Sequence, residues 1–154
     1  MNIALGADHR GVAAIKLLAE KLTREGHHVE IVGDSSGQPT DYPEPAFKVA
    51  SKVAAGTTDL GVLICGTGVG MSIAANKVHG VRAANVHDEL TAQLSRSHNN
   101  ANVLCLSADL LGQRLIEKIV EEWIATPFQG GRHTRRVDKI VAIEQGKDPA
   151  SVKD

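Results

Sequence analysis

The sequence predicts an α/β protein whose parallel sheet carries helices on both faces. Five short apolar runs are spread along the 154 residues, and segments with the apolar spacing of amphipathic helices separate them. Strands that alternate with helices in this way form parallel sheets covered on both sides. We therefore expect a three-layer α/β/α, Rossmann-like architecture with the strand order 2-1-3-4-5.

Each predicted element rests on a local pattern. The predicted strands are residues 2–7, 28–32, 59–65, 81–86 and 102–106. The predicted helices are residues 11–24, 45–55, 69–78, 89–97, 110–124 and 134–145. Gly26 ends the first helix, and a loop rich in Asp, Ser, Gly and Pro at 33–42 precedes the second. Asp88 is the expected cap of the fourth helix, and residues 126–131 break the chain before the last one.

Length and composition are those of one soluble domain over residues 1–154, with 146–154 as a frayed tail. A net charge of −1 argues against a nucleic-acid or membrane surface. Apolar runs fall well short of the roughly 20 residues of a membrane span, and the chain enters its first strand without a signal peptide. Cys65 and Cys105 lack metal-type spacing, so we expect free thiols in a reducing cytoplasm.

Polar residues follow the two strands that flank the point where the strand order reverses. Ligands of such sheets bind at the carboxyl ends of the strands at that point. Asp8 and His9 follow the first strand, and Cys65 ends the third. These side chains are therefore expected to converge on one crevice. A helix cap remains the alternative for Asp8, and simple core packing remains the alternative for Cys65.

The turn after Cys65 has the features of an anion-stabilising loop. Residues 66–70 place glycines at alternate positions before a helix, so several backbone N–H groups are free to face a negative charge. Met71 stands where a dinucleotide fingerprint needs a third glycine and where a phosphatase-type cysteine loop needs an arginine. A thiol at the start of a helix can act as a base or nucleophile near neutral pH. The other interpretation is that these glycines form an ordinary turn between a strand and a helix, without a ligand.

Two further polar clusters lie in the second half of the chain. Arg132 and Arg136 share one face at the start of the last helix, where cations are unfavourable unless an anion compensates them. Guanidinium groups bind phosphate bidentately, which favours a small phosphorylated ligand over a solvated charge run or a nucleic-acid patch. His98 and Asn99 precede the fifth strand, at the opposite edge of the sheet. They form either a surface turn or part of a neighbouring subunit's crevice. The other histidines lack paired ligand spacing, which predicts no metal site.

Together these motifs resemble those of the ribose/galactose isomerase family. The matching segments are residues 8–11 (DHRG), 40–43 (TDYP), 63–77 (LICGTGVGMSIAANK), 97–102 (SHNNAN) and 130–136 (GGRHTRR). The resemblance covers about residues 2–144. It implies an aldose–ketose isomerase that interconverts D-ribose 5-phosphate and D-ribulose 5-phosphate through an enediolate, without metal or other cofactor. It also implies a homodimer with a shared active site, with a tetramer as the alternative.

The resemblance also implies roles for single residues. Cys65 would move a proton between C2 and C1 with support from Thr67, and His98 would open the sugar ring. Asp8 would hold the sugar hydroxyls as part of the catalytic set. The other implied substrate-binding residues are His9, Tyr42, Gly66, Thr67, Gly68, Val69, Gly70, Asn99, Arg132 and Arg136. Among these, His9 and the two arginines would hold the phosphate, and the glycine loop and Asn99 would stabilise the enediolate.

Asp109 departs from the pattern of the family. Its position commonly holds an arginine that contributes to ligand binding, so the sign of the charge is inverted here. The carboxylate either points away, pairs with an arginine such as Arg132, or marks a changed substrate such as allose 6-phosphate. A sugar-phosphate-binding regulator without catalysis and a thiol phosphocarrier are the competing functions.

Overall fold

The computed structural model describes residues 1–153 and confirms the α/β prediction. The strands are β1 (Asn2–Ala7), β2 (His28–Ile31), β3 (Leu60–Cys65), β4 (Ala83–Asn85) and β5 (Val103–Ser107). The helices are α1 (Val12–Arg24), α2 (Pro43–Ala54), α3 (Val69–Ala75), α4 (Glu89–Ser97), α5 (Gln113–Ala125) and α6 (Arg132–Glu144). All five strands form one parallel sheet.

The observed strand order is β2-β1-β3-β5-β4, so the predicted order 2-1-3-4-5 is wrong at one end of the sheet. β5 is buried along its whole length, whereas the three residues of β4 are only half-buried. A strand that is buried throughout is favoured inside the sheet, and a short half-buried strand is tolerated at its edge. The exchanged positions of β4 and β5 do not affect the crevice, because β1 and β3 are neighbours in both orders. The exchange brings the end of β5 beside the end of β3, where Ser107 pairs with Cys65.

Helices cover the two faces of the sheet with separate hydrophobic cores. On one face α1, α4 and α5 pack through buried side chains that include Ile15, Leu18 and Trp123. On the other face α2 and α3 pack through a core that includes Val49 and Met71. The i, i+3, i+4 spacing of the buried residues in α1 and α5 explains why these segments are helical and which side faces the sheet.

Helix and strand ends follow local hydrogen bonds. Asp88 caps α4 as predicted, because its Oδ1 accepts the Thr91 N–H at 2.7 Å. α5 begins three residues later than predicted, since the Leu110 N–H donates to Ser107 Oγ at 3.0 Å in a preceding turn. Pro149–Ser151, in the segment expected to be frayed, forms one 3-10 turn, and Asp154 lies outside the described residues. In the described part of the chain no helix is long and apolar enough to cross a membrane.

Candidate active site

Asp8 lies at the carboxyl edge of the sheet, beside the end of β3. β1 and β3 are paired so that Ala7 faces Ile64, and the Asp8 N–H donates to the Ile64 carbonyl at 3.3 Å. The buried Asp8 carboxylate accepts the N–H groups of Arg10 and Gly11 through Oδ1, at 2.9 and 3.2 Å. Its Oδ2 accepts no hydrogen bond from residues 1–153. One oxygen therefore holds the turn into α1, and the other is available to a ligand.

Cys65 lies beneath the glycine loop, residues 66–70. Only 4% of Cys65 is exposed, and its Sγ accepts the Gly68 N–H at 3.1 Å. Gly68 has φ 78°, and a Cβ there would lie 2.4 Å from Asn85 Oδ1, so the loop requires glycine at this position. The sulfur is therefore buried but keeps one hydrogen bond, which it accepts from the backbone of the glycine loop.

Cys105 differs from Cys65 although both are free and lie in the same core. Burial raises the pKa of the Cys105 thiol well above its usual range, and the nearby charge of Cys65 raises it further. Cys105 is completely buried in the middle of β5. Its thiol is therefore a packed core group.

Thr67, Tyr42 and His9 surround the glycine loop. Thr67 Oγ1 accepts the Val69 N–H at 3.3 Å, and among the described residues it makes no hydrogen bond to Cys65. The Tyr42 ring lies directly against Gly70: a Cβ placed on Gly70 would lie only 2.7 Å from Tyr42 Cε2. His9 is exposed, and its Nδ1 accepts the Thr40 N–H at 3.5 Å. We call Asp8, His9, Tyr42 and residues 65–70 the carboxyl-edge cluster.

Asp109 forms an ion pair with Arg10 at the same edge. Arg10 Nε donates to Asp109 Oδ1 and Oδ2 at 3.0 and 2.9 Å, and Arg10 Nη2 donates to Oδ1 at 2.8 Å. Of the alternatives left open by the sequence, pairing with an arginine is therefore the observed one. The partner is Arg10 and not the suggested Arg132.

A second cluster lies at the amino edge of the sheet. His98 ends α4 before β5, and its ring stacks on His133 with centroids 4.1 Å apart and planes inclined by 7°. Arg132 and Arg136 are exposed on the first turns of α6, next to His133. Burial lowers the pKa of His133, and the charges of His98 and the two arginines lower it further. We call His98, Asn99, Arg132 and Arg136 the amino-edge cluster.

The two clusters do not meet within one chain. Cys65 and Ser107 end paired strands, whereas His98 precedes the start of β5. Five residues of β5 at roughly 3.3 Å each span about 16 Å between the two edges. The structure therefore brings together the predicted residues of the carboxyl-edge cluster, and separately those of the amino-edge cluster. Within residues 1–153, no group of three or more His, Cys, Asp or Glu side chains is arranged to hold a metal ion.

Two residues near the glycine loop were not singled out from the sequence. Arg10 lies inside a recognised motif but received no role. Asn85 ends β4 against the loop, where its Nδ2 donates to the Thr67 carbonyl at 3.5 Å and its buried Oδ1 has no partner. The available signal for Asn85 was one amide side chain among the apolar residues of the segment 83–86.

Parallel α/β sheets bind ligands at the carboxyl ends of their strands, and α/β enzymes can stabilise a developing anion there with backbone N–H groups. Cys65 lies at this edge, and its Sγ accepts the Gly68 N–H. The chain belongs to the ribose/galactose isomerase family, whose sequence model matches residues 3–140.

Named relatives agree with this assignment over nearly the whole chain. Ribose-5-phosphate isomerase B of Escherichia coli (strain K12) is 45% identical over 147 residues, which are 96% of this chain and 99% of the relative. The structure of Clostridium thermocellum ribose-5-phosphate isomerase B is similar with a TM-score of 0.93 and 44% identity, covering 95% of this chain and 99% of that one. The Mycoplasma genitalium enzyme, solved with bound ribulose-5-phosphate, has a TM-score of 0.87 and 46% identity, covering 94% and 96%.

Proposed function

We propose that this protein interconverts D-ribose 5-phosphate and D-ribulose 5-phosphate, in the cytoplasm, at a site completed by a second copy of the chain. The observation that carries the proposal is the Gly68 N–H on Cys65 Sγ at the crevice between β1 and β3. Membership of an isomerase family supports it, as does the ribulose-5-phosphate bound by the Mycoplasma genitalium relative.

Cys65 is the proton-transfer group in this proposal. Its thiolate takes the proton from C2 of the open-chain aldose, which leaves an enediolate across C1 and C2. The thiol then returns the proton to C1, while the hydroxyl proton passes from O2 to O1, and the ketose results. A positioned acid–base group of this kind contributes typically about 10²- to 10⁴-fold in rate.

Free N–H groups in the glycine loop stabilise the enediolate. The loop turns at Gly68 and opens into α3, so its N–H groups lie at the positive end of the helix dipole. Each preorganised donor of this kind is worth roughly 10²- to 10³-fold in rate. Thr67 supports the loop through its bond to the Val69 N–H rather than through contact with the sulfur.

The amino-edge cluster of a second subunit supplies the remaining groups. His98 protonates the ring oxygen so that the furanose opens, Asn99 joins the enediolate-stabilising donors, and Arg132 and Arg136 hold the phosphate with His9. On one subunit these groups lie at the edge of the sheet opposite to Cys65, with the length of β5, about 16 Å, between the two edges. A two-fold axis that seats one cluster against the other creates two complete sites at once.

Exposed apolar side chains beside each cluster support this pairing. Val69, in the glycine loop, and Ile73 lie on one face of α3 and are 49% and 60% exposed. Ile140 and Ile143 follow the arginines on α6 and are 42% and 60% exposed. Apolar residues of this size beside polar groups are typical of subunit interfaces. A homodimer buries both patches, and a tetramer would need a further surface.

The deciding experiment measures turnover of ribose 5-phosphate and allose 6-phosphate side by side, with and without a chelator. We expect turnover of ribose 5-phosphate that the chelator leaves unchanged. Faster turnover of allose 6-phosphate would identify the other substrate, for which the carboxylate of Asp109 near the site is the motivating observation. Binding of both sugars without turnover would identify a regulator, and a phosphocysteine at Cys65 in mass spectra would identify a phosphocarrier.

A further inference from the structure

The pair of Arg10 and Asp109 crosses the carboxyl edge of the sheet over the end of β3. Arg10 follows β1 and Asp109 follows β5, and the end of β3 lies between these two strands. A Cβ on Gly66 would meet Asp109 Oδ2 at 3.0 Å and Arg10 Cδ at 3.2 Å. The ion pair therefore rests directly on the first residue of the glycine loop.

The backbone holds both partners in place. The Asp109 N–H donates to the Gly66 carbonyl at 3.1 Å, and Ser107 Oγ donates to the same oxygen at 2.6 Å. The Arg10 N–H is bonded to Asp8 Oδ1 at 2.9 Å. A surface ion pair between freely mobile side chains contributes little to stability. Here the two side chains instead leave backbone segments that are fixed against the site.

Arg10 keeps most of its hydrogen-bonding capacity. A guanidinium has five N–H groups, and Nε together with one N–H of Nη2 holds Asp109. The remaining three donate to no acceptor within residues 1–153. The Arg10 side chain is 55% exposed, so these donors are accessible to an anion that enters the crevice.

The two carboxylates at this edge of the sheet would repel a phosphate unless a cation compensated their charge. Asp8 places a carboxylate beside the end of β3 and Asp109 places one against Gly66, so a phosphate that approached them alone would be repelled. Arg10 neutralises Asp109 and adds donors of the geometry that phosphate prefers.

We propose that Arg10 is a phosphate-binding residue of the substrate site and that Asp109 is its positioning residue. The pair then restores, from the end of β1 and across the end of β3, the guanidinium that position 109 lacks. This inference rests on the proposed function for the identity of its ligand, a sugar phosphate. It explains how a carboxylate is tolerated at this position without a change of reaction.

The test uses the full-length protein and inorganic phosphate as the probe, with its dissociation constant measured by calorimetry and KM and kcat measured for ribose 5-phosphate. For Arg10→Ala we expect the phosphate dissociation constant and KM to rise about 10- to 100-fold, with a much smaller change in kcat. Arg24→Ala is the matched control, since it removes one exposed cation from the far end of α1, and both values should stay within about twofold.

Double variants separate binding from structure. Arg10→Ala/Asp109→Ala should recover part of the lost phosphate affinity, because the unpaired carboxylate is removed as well. Arg10→Ala/Asp109→Arg should return it to within about threefold of the wild type, because the guanidinium is re-created across Gly66. If the pair only stabilised the fold, the single variants Arg10→Ala and Asp109→Ala would both have a lower melting temperature, and their phosphate affinity and KM would be unchanged.

An Arg10→Ala variant that binds phosphate within about twofold of the wild type overturns the inference. The proposed function fails separately, if the wild type binds phosphate through Arg10 yet does not turn over ribose 5-phosphate. A double alanine variant that binds phosphate no better than Arg10→Ala contradicts the role given to Asp109.

Discussion

Gly68 donates its backbone N–H to Cys65 Sγ over 3.1 Å, at a left-handed turn with φ 78°. This bond ties the catalytic candidate to the loop that would stabilise the reaction intermediate. A displaced loop would therefore affect both the base and the anion-binding donors at once. The first two predictions follow from this relationship.

Replacing Cys65 by alanine should remove proton transfer without removing ligand binding. We expect the exchange of the C2 proton with solvent to fall by about 10² or more, because the other thiol of the chain, Cys105, is packed in the core and cannot take over the proton transfer. Calorimetry with inorganic phosphate should give a dissociation constant close to that of the wild type. Cys105→Ala is the matched control: it removes a fully buried thiol, lowers stability by about 1 kcal/mol and retains turnover. Unchanged C2 exchange in Cys65→Ala would remove Cys65 from the mechanism.

Replacing Gly68 by alanine should impair the loop itself. The new Cβ would lie 2.4 Å from Asn85 Oδ1, and the left-handed backbone adds about 1–2 kcal/mol of strain. We expect kcat to fall about 10²-fold as the N–H is drawn away from the sulfur. Gly56→Ala is the control, because Gly56 has φ 70° but no atom within 4 Å of its Cβ position. Gly56→Ala should have a lower melting temperature because of the strained backbone, and a normal kcat. Equal losses of kcat in Gly56→Ala and Gly68→Ala would contradict the steric explanation.

How far the sequence predicts this site depends on which residues are close along the chain. The Asp8 turn and the turn from Cys65 to Gly70 are local patterns, and the structure has them where expected. The order of β4 and β5 was wrong because a local apolar pattern does not encode which strand lies at the edge. The contact of Arg10 with Asp109 joins residues 99 positions apart and depends on that order. The sequence analysis therefore missed this contact for the same reason that it gave the wrong order of β4 and β5.

His98 should matter most for the closed form of the sugar. If it protonates the ring oxygen, His98→Ala should lose about 10²-fold on ribose 5-phosphate and much less on an open-chain analogue that bypasses this step. Stopped-flow measurements on both substrates give the comparison. Equal losses on the two substrates would show that His98 acts after the ring has opened.

Stability should decline on the acidic side because of His133. Its folded pKa lies below the unfolded value of about 6.5, so the folded chain holds fewer protons than the unfolded chain between the two values. The stability that the folded chain has while His133 is neutral is fully present above pH 6.5, and it is lost as the pH falls through the folded pKa of His133. Thermal melts at pH 7.5 and 5.5 should show a smaller loss for His133→Phe, which keeps the stack on His98 but does not titrate. An equal loss in that variant would assign the acid sensitivity to other groups.

A mixture of two inactive variants tests whether the site is shared between subunits. In a dimer of one Cys65→Ala chain and one His98→Ala chain, one site combines both substitutions, and the other combines an intact carboxyl-edge cluster with an intact amino-edge cluster. Random reassociation of equal amounts gives half mixed dimers, so about one quarter of the wild-type activity should return. Mixing Cys65→Ala with a Cys65→Ala/His98→Ala double variant is the control, since every site then lacks Cys65. If each site were built within one subunit, the first mixture would stay as inactive as its components, and the position of the two clusters at opposite edges of the sheet would need another explanation.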